Sequence, residues 1–83
     1  MQATRYFVEQ VLARRHYLTV ELCADVVANP ISRTVQADGR IRLWGRIRLP
    51  GEDHDRILRV VLLEDGSTLH NAFIDRGFHV EDV

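Results

Sequence analysis

Apolar residues recur along the first third of the chain at the three- and four-residue spacing of amphipathic helices. This spacing predicts helices over residues 4–15 and 20–28. The apolar stripes are Phe7, Val8, Val11 and Leu12 in the first helix, and Leu22, Cys23, Val26 and Val27 in the second. Thr19 is a suitable N-cap for the second helix, and Asn29-Pro30 should end it, because the residue before proline avoids the helical conformation.

From residue 31 onward the pattern changes to the alternation and β-branched runs that are typical of strands. The predicted strands cover residues 31–36, 40–49, 57–64 and 67–75. Asp38-Gly39 and Asp65-Gly66 favour tight hairpin turns between them. The order of elements predicts an α+β fold in a single domain, residues 1–83, with two N-terminal helices packed on one face of a four-stranded antiparallel β-meander.

The second predicted strand, RIRLWGRIRL, has one apolar side and one side made almost entirely of arginines. Alternation directs the apolar side toward the helices and leaves the other side open. We call this other side the arginine ladder, and it consists of Arg40, Arg42, Trp44, Arg46 and Arg48. Guanidinium groups bind phosphate in a bidentate fork, and a base can stack on tryptophan, so the ladder is a candidate RNA-binding surface. The alternative for Trp44, which is the commoner one for a tryptophan, is that it packs within the protein or fills a dimer interface. A β-bulge at Gly45 would instead turn Arg46 and Arg48 to the opposite face from Arg42.

The turn at Asp65-Gly66 sets the register of the last two strands. A two-residue loop there opposes Arg59 to Ala72. It places on the open face, beside the ladder, Arg59, Val61, His70, Ala72 and Ile74. It places on the core face Leu58, Val60, Leu62, Leu69, Asn71 and Phe73.

Two residues of the predicted open face are candidates for catalysis. His70 has a side-chain pKa near neutrality and could act as a general acid or base. Arg59, on a central strand, could bind an anion. The alternatives are a half-exposed strand histidine with no role, and an arginine held in a salt bridge to Asp75 or Glu64.

Two further clusters have simpler explanations. The segment RRHY, residues 14–17, is either a solvated helix end or a second site, and the solvated end is favoured. Asp53, His54 and Asp55 are adjacent in a polar loop, where metal ligands rarely converge, so a flexible acidic loop is favoured. No metal or cofactor is predicted, and Cys23 is predicted to lie in the core.

Composition narrows the class of protein further. The net charge of −1 argues against a uniformly basic nucleic-acid binder, yet the segment from Arg33 to Arg48 contains five arginines and only Asp38 in opposition. All 11 residues in the Lys and Arg class are arginine. A GC-rich genome is the favoured explanation, and phosphate recognition is the functional alternative. The single cysteine, the absence of a signal-peptide pattern and the short apolar runs predict a cytoplasmic protein without a membrane span.

Four segments together resemble a family of small bacterial proteins grouped as domain of unknown function 4258. They are RRHYLTVELCADVVANP, VQADGRIRLWGRI, RILRVVLLEDGSTLHNAF and DRGF, and the resemblance runs from about Tyr6 to Phe78. The family is placed near the RelE-like and BrnT-like ribonuclease toxins of toxin–antitoxin pairs. The resemblance implies N-terminal helices with a curved antiparallel sheet. It also implies metal-independent RNA cleavage by attack of the ribose 2′-hydroxyl, with basic residues on the open sheet face.

Two functional hypotheses follow. The first is a toxin-like protein that binds RNA, either with or without cleaving it. Arg42, Trp44, Arg46 and Arg59 would hold the RNA, and His70 would transfer protons in cleavage. The second is a non-catalytic interaction module, in which the arginine face docks an acidic partner such as a cognate antitoxin, or a second copy of the chain in a homodimer.

Overall fold

The computed structural model describes residues 1–79, and the last four residues of the predicted domain 1–83 lie outside this range. The helical elements are a π-helix, Phe7–Leu12, and α1, Val20–Ala28. The strands are β1, Gln2–Ala3; β2, Ser32–Val35; β3, Ile41–Ile47; β4, Arg56–Leu62; and β5, Thr68–Ile74. They form one sheet in the order β1-β5-β4-β3-β2. Within the described range, no helix has the length and apolarity needed to cross a membrane.

The predicted fold class was wrong in its sheet. The structure has a five-stranded mixed sheet, because Gln2–Ala3 pairs in parallel with β5. The remaining three pairings are antiparallel and follow chain order. The backbone amide of Thr4 continues the parallel pairing by donating to the carbonyl of Leu69 at 2.8 Å. The short strand thus covers backbone groups of β5 that would otherwise lie unpaired at the sheet edge.

The first predicted helix was also wrong in its form. The chain over Phe7–Leu12 is a π-helix, and within residues 1–79 the only α-helix of more than two turns is the nine-residue α1. Phe7 and Val11 are fully buried, whereas Val8 is 50% exposed. Leu12 also packs against the core, so only Val8 of the four predicted stripe residues faces solvent. Hydrogen bonds from i to i+5 widen the helical turn, which changes the direction of side chains relative to α-helical spacing.

The second helix was predicted with its correct bounds. Thr19 accepts a hydrogen bond from the amide of Leu22 at 3.1 Å, which is the expected N-cap contact. Cys23 lies in the core as predicted, and burial raises the pKa of its thiol to about 12. The reactive thiolate form is therefore strongly disfavoured at this position.

Gly45 allows α1 to approach the sheet closely. A Cβ atom built on Gly45 would lie 3.0 Å from both γ-methyl groups of Val26. The pairing of β3 with β4 continues through Gly45, opposite Leu58, without a register shift. The bulge considered at this glycine is therefore absent, and Arg46 stays on the same face as Arg42.

The irregularity of the sheet lies instead in β5. Leu62 pairs with Leu69 as predicted, but the next residue of β4, Val61, pairs with Asn71, which leaves His70 as the extra residue of a β-bulge. A bulge reverses the alternation of the strand beyond it.

Because of the bulge, the predicted faces of β5 were wrong for the residues after His70. Arg59 pairs with Phe73 and not with Ala72. Ala72 is fully buried in the core, and Asn71 and Phe73 lie on the side of Arg59. The register set at the turn was thus correct for only the first residues of the strand.

Candidate nucleic-acid interface

The sheet has one face that neither helix covers. The helices pack on the face that carries Gly45, together with the buried side chains of β3, β4 and β5. Register and alternation place on the opposite side, which we call the open face, Arg42, Trp44, Arg46, Arg59, Val61, Asn71 and Phe73. The central arginines of the predicted ladder therefore share this face with Arg59.

Trp44 is the packed centre of the open face. Its side chain is only 7% exposed. The indole N–H donates to Oδ2 of Asp75 at 2.9 Å, and the ring stacks on Phe78 with centroids 5.1 Å apart and planes at 20°. Both the ring face and the polar edge are thus occupied, which leaves no platform for a nucleic-acid base in this conformation.

Arg59 lies between two aromatic rings. Its guanidinium carbon is 5.5 Å from the ring centroid of Trp44 and 5.2 Å from that of Phe73. Both distances are within the range of cation–π attraction, which offsets part of the cost of removing the charge from water. Nε is buried without a hydrogen-bond partner among residues 1–79. The predicted alternative, a salt bridge to Asp75 or Glu64, is not formed.

Arg42 and Arg46 extend this positive charge along β3. The guanidinium carbon of Arg42 is 5.7 Å from the Trp44 ring centroid, and its Nε donates to Oγ1 of Thr34 at 3.0 Å. Arg46 is exposed to solvent. Within residues 1–79 none of the three arginines of the open face forms an ion pair with a carboxylate. Three positive charges without a carboxylate partner therefore share this face, and two of them lie against the ring of Trp44.

The two ends of the predicted ladder differ from its centre. Arg40 pairs with Asp38 at 3.8 Å, and Arg48 pairs with Asp55 at 3.0 Å. In the same acidic loop, His54 contacts Asp53 at 3.2 Å, and among the described residues no group of three potential ligands could hold a metal ion. The carboxylates partly neutralise both end arginines, so the unpaired positive charge of the ladder lies at its centre.

His70 belongs to a different part of the sheet from Arg59. Nδ1 is 3.1 Å from Oγ1 of Thr4, and the imidazole lies 5.1 Å from the ring of Tyr6. Thr4 also accepts a hydrogen bond from the amide of Phe7 at 3.0 Å, so its hydroxyl proton can be donated to Nδ1. Burial, and secondly the charge of Arg40, lower the pKa of His70 below its ordinary value. Both effects favour a neutral imidazole that anchors the N-terminal segment.

A pH-dependent loss of stability is expected from this histidine. Its pKa is lower in the folded than in the unfolded protein, so protonation favours unfolding as the pH falls below the ordinary value of 6.5. The free energy of unfolding should therefore fall between pH 7.5 and 5.5, measured by urea denaturation. Asp65 does not contribute to this change, because its pKa lies below the pH window. The ordinary value is 3.8, and the hydrogen bonds of Asp65 to Thr68 and Ser67 lower its pKa further.

His70→Gln is the matched variant for this measurement. Glutamine retains a polar side chain near Thr4 but does not titrate, so its stability should change less than that of the parent over the same pH range. An equal loss of stability in parent and variant would show that another group controls the transition.

Two residues that organise the open face were not identified from the sequence as parts of a site. Asp75 accepts from Trp44 and also from the amide of Gly77, at 3.1 Å, in a local turn. Phe78 then reaches back over the indole ring. Asp followed two residues later by Gly is a turn signal, but it does not indicate which side chain the turn will cover.

The chain was compared with known families and structures, and no family model, curated protein or solved structure matches it. The resemblance to the domain of unknown function 4258 family therefore stays a prediction from the quoted motifs.

Proposed function

We propose that this protein binds single-stranded RNA through the phosphate groups, using Arg42, Arg46 and Arg59 on the open face. The observation that supports the proposal is that these three guanidinium groups share a helix-free sheet face without a carboxylate partner among residues 1–79. RNA supplies regularly spaced anions, and arginine binds each phosphate with two parallel hydrogen bonds.

Trp44 supports the arginines in this proposal. Its ring contacts the guanidinium groups of both Arg42 and Arg59, which restricts their orientations before any ligand arrives. Groups that are already ordered lose less conformational entropy on binding. Because the contacts are to phosphate and not to base edges, we expect weak discrimination between RNA sequences.

The proposal concerns binding and not cleavage. A general acid or base must come within hydrogen-bond distance of the reacting group. Nδ1 of His70 is engaged with Thr4, which leaves only Nε2 for proton transfer, and no hydrogen bond joins the imidazole to Arg59 within residues 1–79. An RNA ligand also fits the proposed cytoplasmic location, where a single unpaired cysteine stays reduced.

Salt dependence of RNA affinity is the test. With three phosphate contacts, the slope of log K against log salt should be about −2 for a single strand, measured by fluorescence anisotropy with a labelled RNA 12-mer. Arg42→Gln and Arg46→Gln should each weaken binding about tenfold at low salt and reduce the slope by about 0.7. Arg33→Gln is the matched control, because Arg33 pairs with Leu43 and so lies on the opposite side of the sheet.

Two results would contradict RNA binding at the open face. Affinity that does not change with salt, or that falls as much in Arg33→Gln as in Arg42→Gln, would remove the open face as the RNA site. Loss of intact RNA in the same samples, abolished in His70→Ala, would show that binding leads to cleavage.

A second candidate function is an interaction module, and the free edge of the sheet favours it. β2 lies at that edge, and no described strand pairs with its outer side. Val35 is 56% exposed, and Ile31 is also exposed. An edge of this kind can pair with a second copy of the chain. A mass that rises with concentration in light scattering, together with no RNA affinity, would favour this function.

A further inference from the structure

A cavity of about 500 Å³ lies where the end of the N-terminal helical segment meets the beginning of β4 and the end of β5. Its polar wall consists of Arg15, Tyr17, Arg56 and Arg76. Its apolar wall consists of Leu49, Phe73 and Ile74. The cavity brings together two residues of the RRHY segment, for which a solvated helix end was favoured, and two arginines that are at least 39 positions away in sequence.

The charge of the cavity is only partly compensated. Nη1 of Arg56 donates to both carboxylate oxygens of Glu52, at 2.9 and 3.3 Å. Arg15 and Arg76 form no ion pair within residues 1–79. Two positive charges therefore remain on one concave surface, where they repel each other unless an anion lies between them.

Tyr17 gives the cavity a hydrogen-bond donor in a fixed place. Its hydroxyl oxygen accepts from the backbone amide of Ile74 at 3.3 Å, a contact between residues 57 positions apart. Since the oxygen serves as acceptor in this bond, its own proton remains available to a ligand. The same bond ties the helical segment to the end of β5, which fixes the relative positions of the two sides of the cavity.

We propose that this cavity binds a small phosphate monoester, with the phosphate on Arg15, Arg76 and the hydroxyl of Tyr17. A phosphate monoester carries a charge of about −1.5 to −2 at neutral pH, which matches the two uncompensated arginines better than a single carboxylate does. Leu49 and Phe73 then pack against the organic part of the ligand. The proposal does not depend on RNA binding at the open face, because none of Arg42, Arg46 and Arg59 lines this cavity.

The probe is AMP, with adenosine and inorganic phosphate as its two halves. Binding is followed by isothermal titration calorimetry and by backbone amide shifts in NMR spectra. AMP should bind more tightly than either half and should shift the amides of Ile74 and Arg76. Arg15→Gln and Arg76→Gln should each weaken AMP binding about tenfold, the effect of losing one charged hydrogen bond. Arg33→Gln, which changes the net charge equally at the edge strand, should change the affinity less than about twofold, as expected for a distant charge screened by salt.

Two results would overturn the proposal. One is no AMP binding at millimolar concentration in the folded parent, and the other is an equal loss of affinity in Arg33→Gln and Arg76→Gln. Circular dichroism checks that each variant is folded.

A second experiment distinguishes an RNA end from a small free phosphate ester as the ligand. It compares the affinities of two short RNAs that differ only in carrying a 5′-phosphate or a 5′-hydroxyl. Tighter binding of the phosphorylated RNA, lost in Arg76→Gln, would identify an RNA end as the ligand. AMP binding with no difference between the two RNAs would identify a small free phosphate ester.

Discussion

Replacing Trp44 with alanine is expected to lower the free energy of unfolding by about 3–5 kcal/mol, the usual cost of truncating a buried tryptophan. The indole is almost fully buried and contacts Phe78, Arg42 and Arg59. Its removal would leave a void at the centre of the open face and would leave Oδ2 of Asp75 without the indole N–H that donates to it. Urea denaturation followed by circular dichroism measures the loss, since Trp44 is the only tryptophan and its fluorescence disappears with it.

Trp44→Phe separates the ring from its hydrogen bond. Phenylalanine retains an aromatic ring beside Arg59 but cannot donate to Asp75, so a smaller loss of about 1–3 kcal/mol is expected. If Trp44→Ala were as stable as the parent but bound RNA more weakly, Trp44 would act as a base-stacking platform and not as a packed residue of the open face.

Gly45→Ala is expected to lower the free energy of unfolding by about 1–3 kcal/mol, because the added methyl group overpacks the core. The new Cβ would lie 3.0 Å from both γ-methyl groups of Val26, so α1 must move away from the sheet or Val26 must change its rotamer. Alanine also restricts the unfolded chain, which returns up to about 1 kcal/mol and makes the net loss smaller than the steric cost.

A double-mutant cycle with Val26→Ala tests this mechanism. Val26→Ala removes the two methyl groups at 3.0 Å and leaves only the Val26 Cβ, at 3.2 Å from the new Cβ. The loss of stability in the double variant should therefore be smaller than the sum of the two single losses, by about 0.5–3 kcal/mol. Gly77→Ala is the control, since its Cβ would meet only Asp75, at an ordinary 3.7 Å. Additive losses would show that the close approach of α1 is not what requires glycine at position 45.

Local signals in the sequence were sufficient to predict α1, two turns and the side-chain alternation of β3, which position the candidate site. The Thr19 cap and the Asn29-Pro30 stop set the bounds of α1 because they act within one turn of the helix. The two Asp-Gly turns appear with Gly39 and Gly66 at positive φ, which glycine adopts without strain. Alternation within β3 correctly placed Arg42, Trp44 and Arg46 on one face, since β-strand geometry alone dictates it.

The remaining features depend on partners distant in sequence. The parallel strand Gln2–Ala3 forms only by pairing with the edge of β5, more than 60 positions away in sequence. The bulge at His70 exchanges the faces to which the later side chains of β5 point. His70 itself contacts Thr4, 66 positions away in sequence. Such pairings could not be predicted from local sequence patterns, because each joins segments that become neighbours only in the folded chain.

The character of the arginine ladder was likewise decided by tertiary structure. From the sequence by itself, its five members are equivalent positions on one side of a strand. In the folded protein, acidic residues pair with the arginines at both ends, and Asp75 and Phe78 enclose Trp44. Alternation determines which way a side chain points, but the segments that fold back over it determine whether its charge or its ring remains available to a ligand.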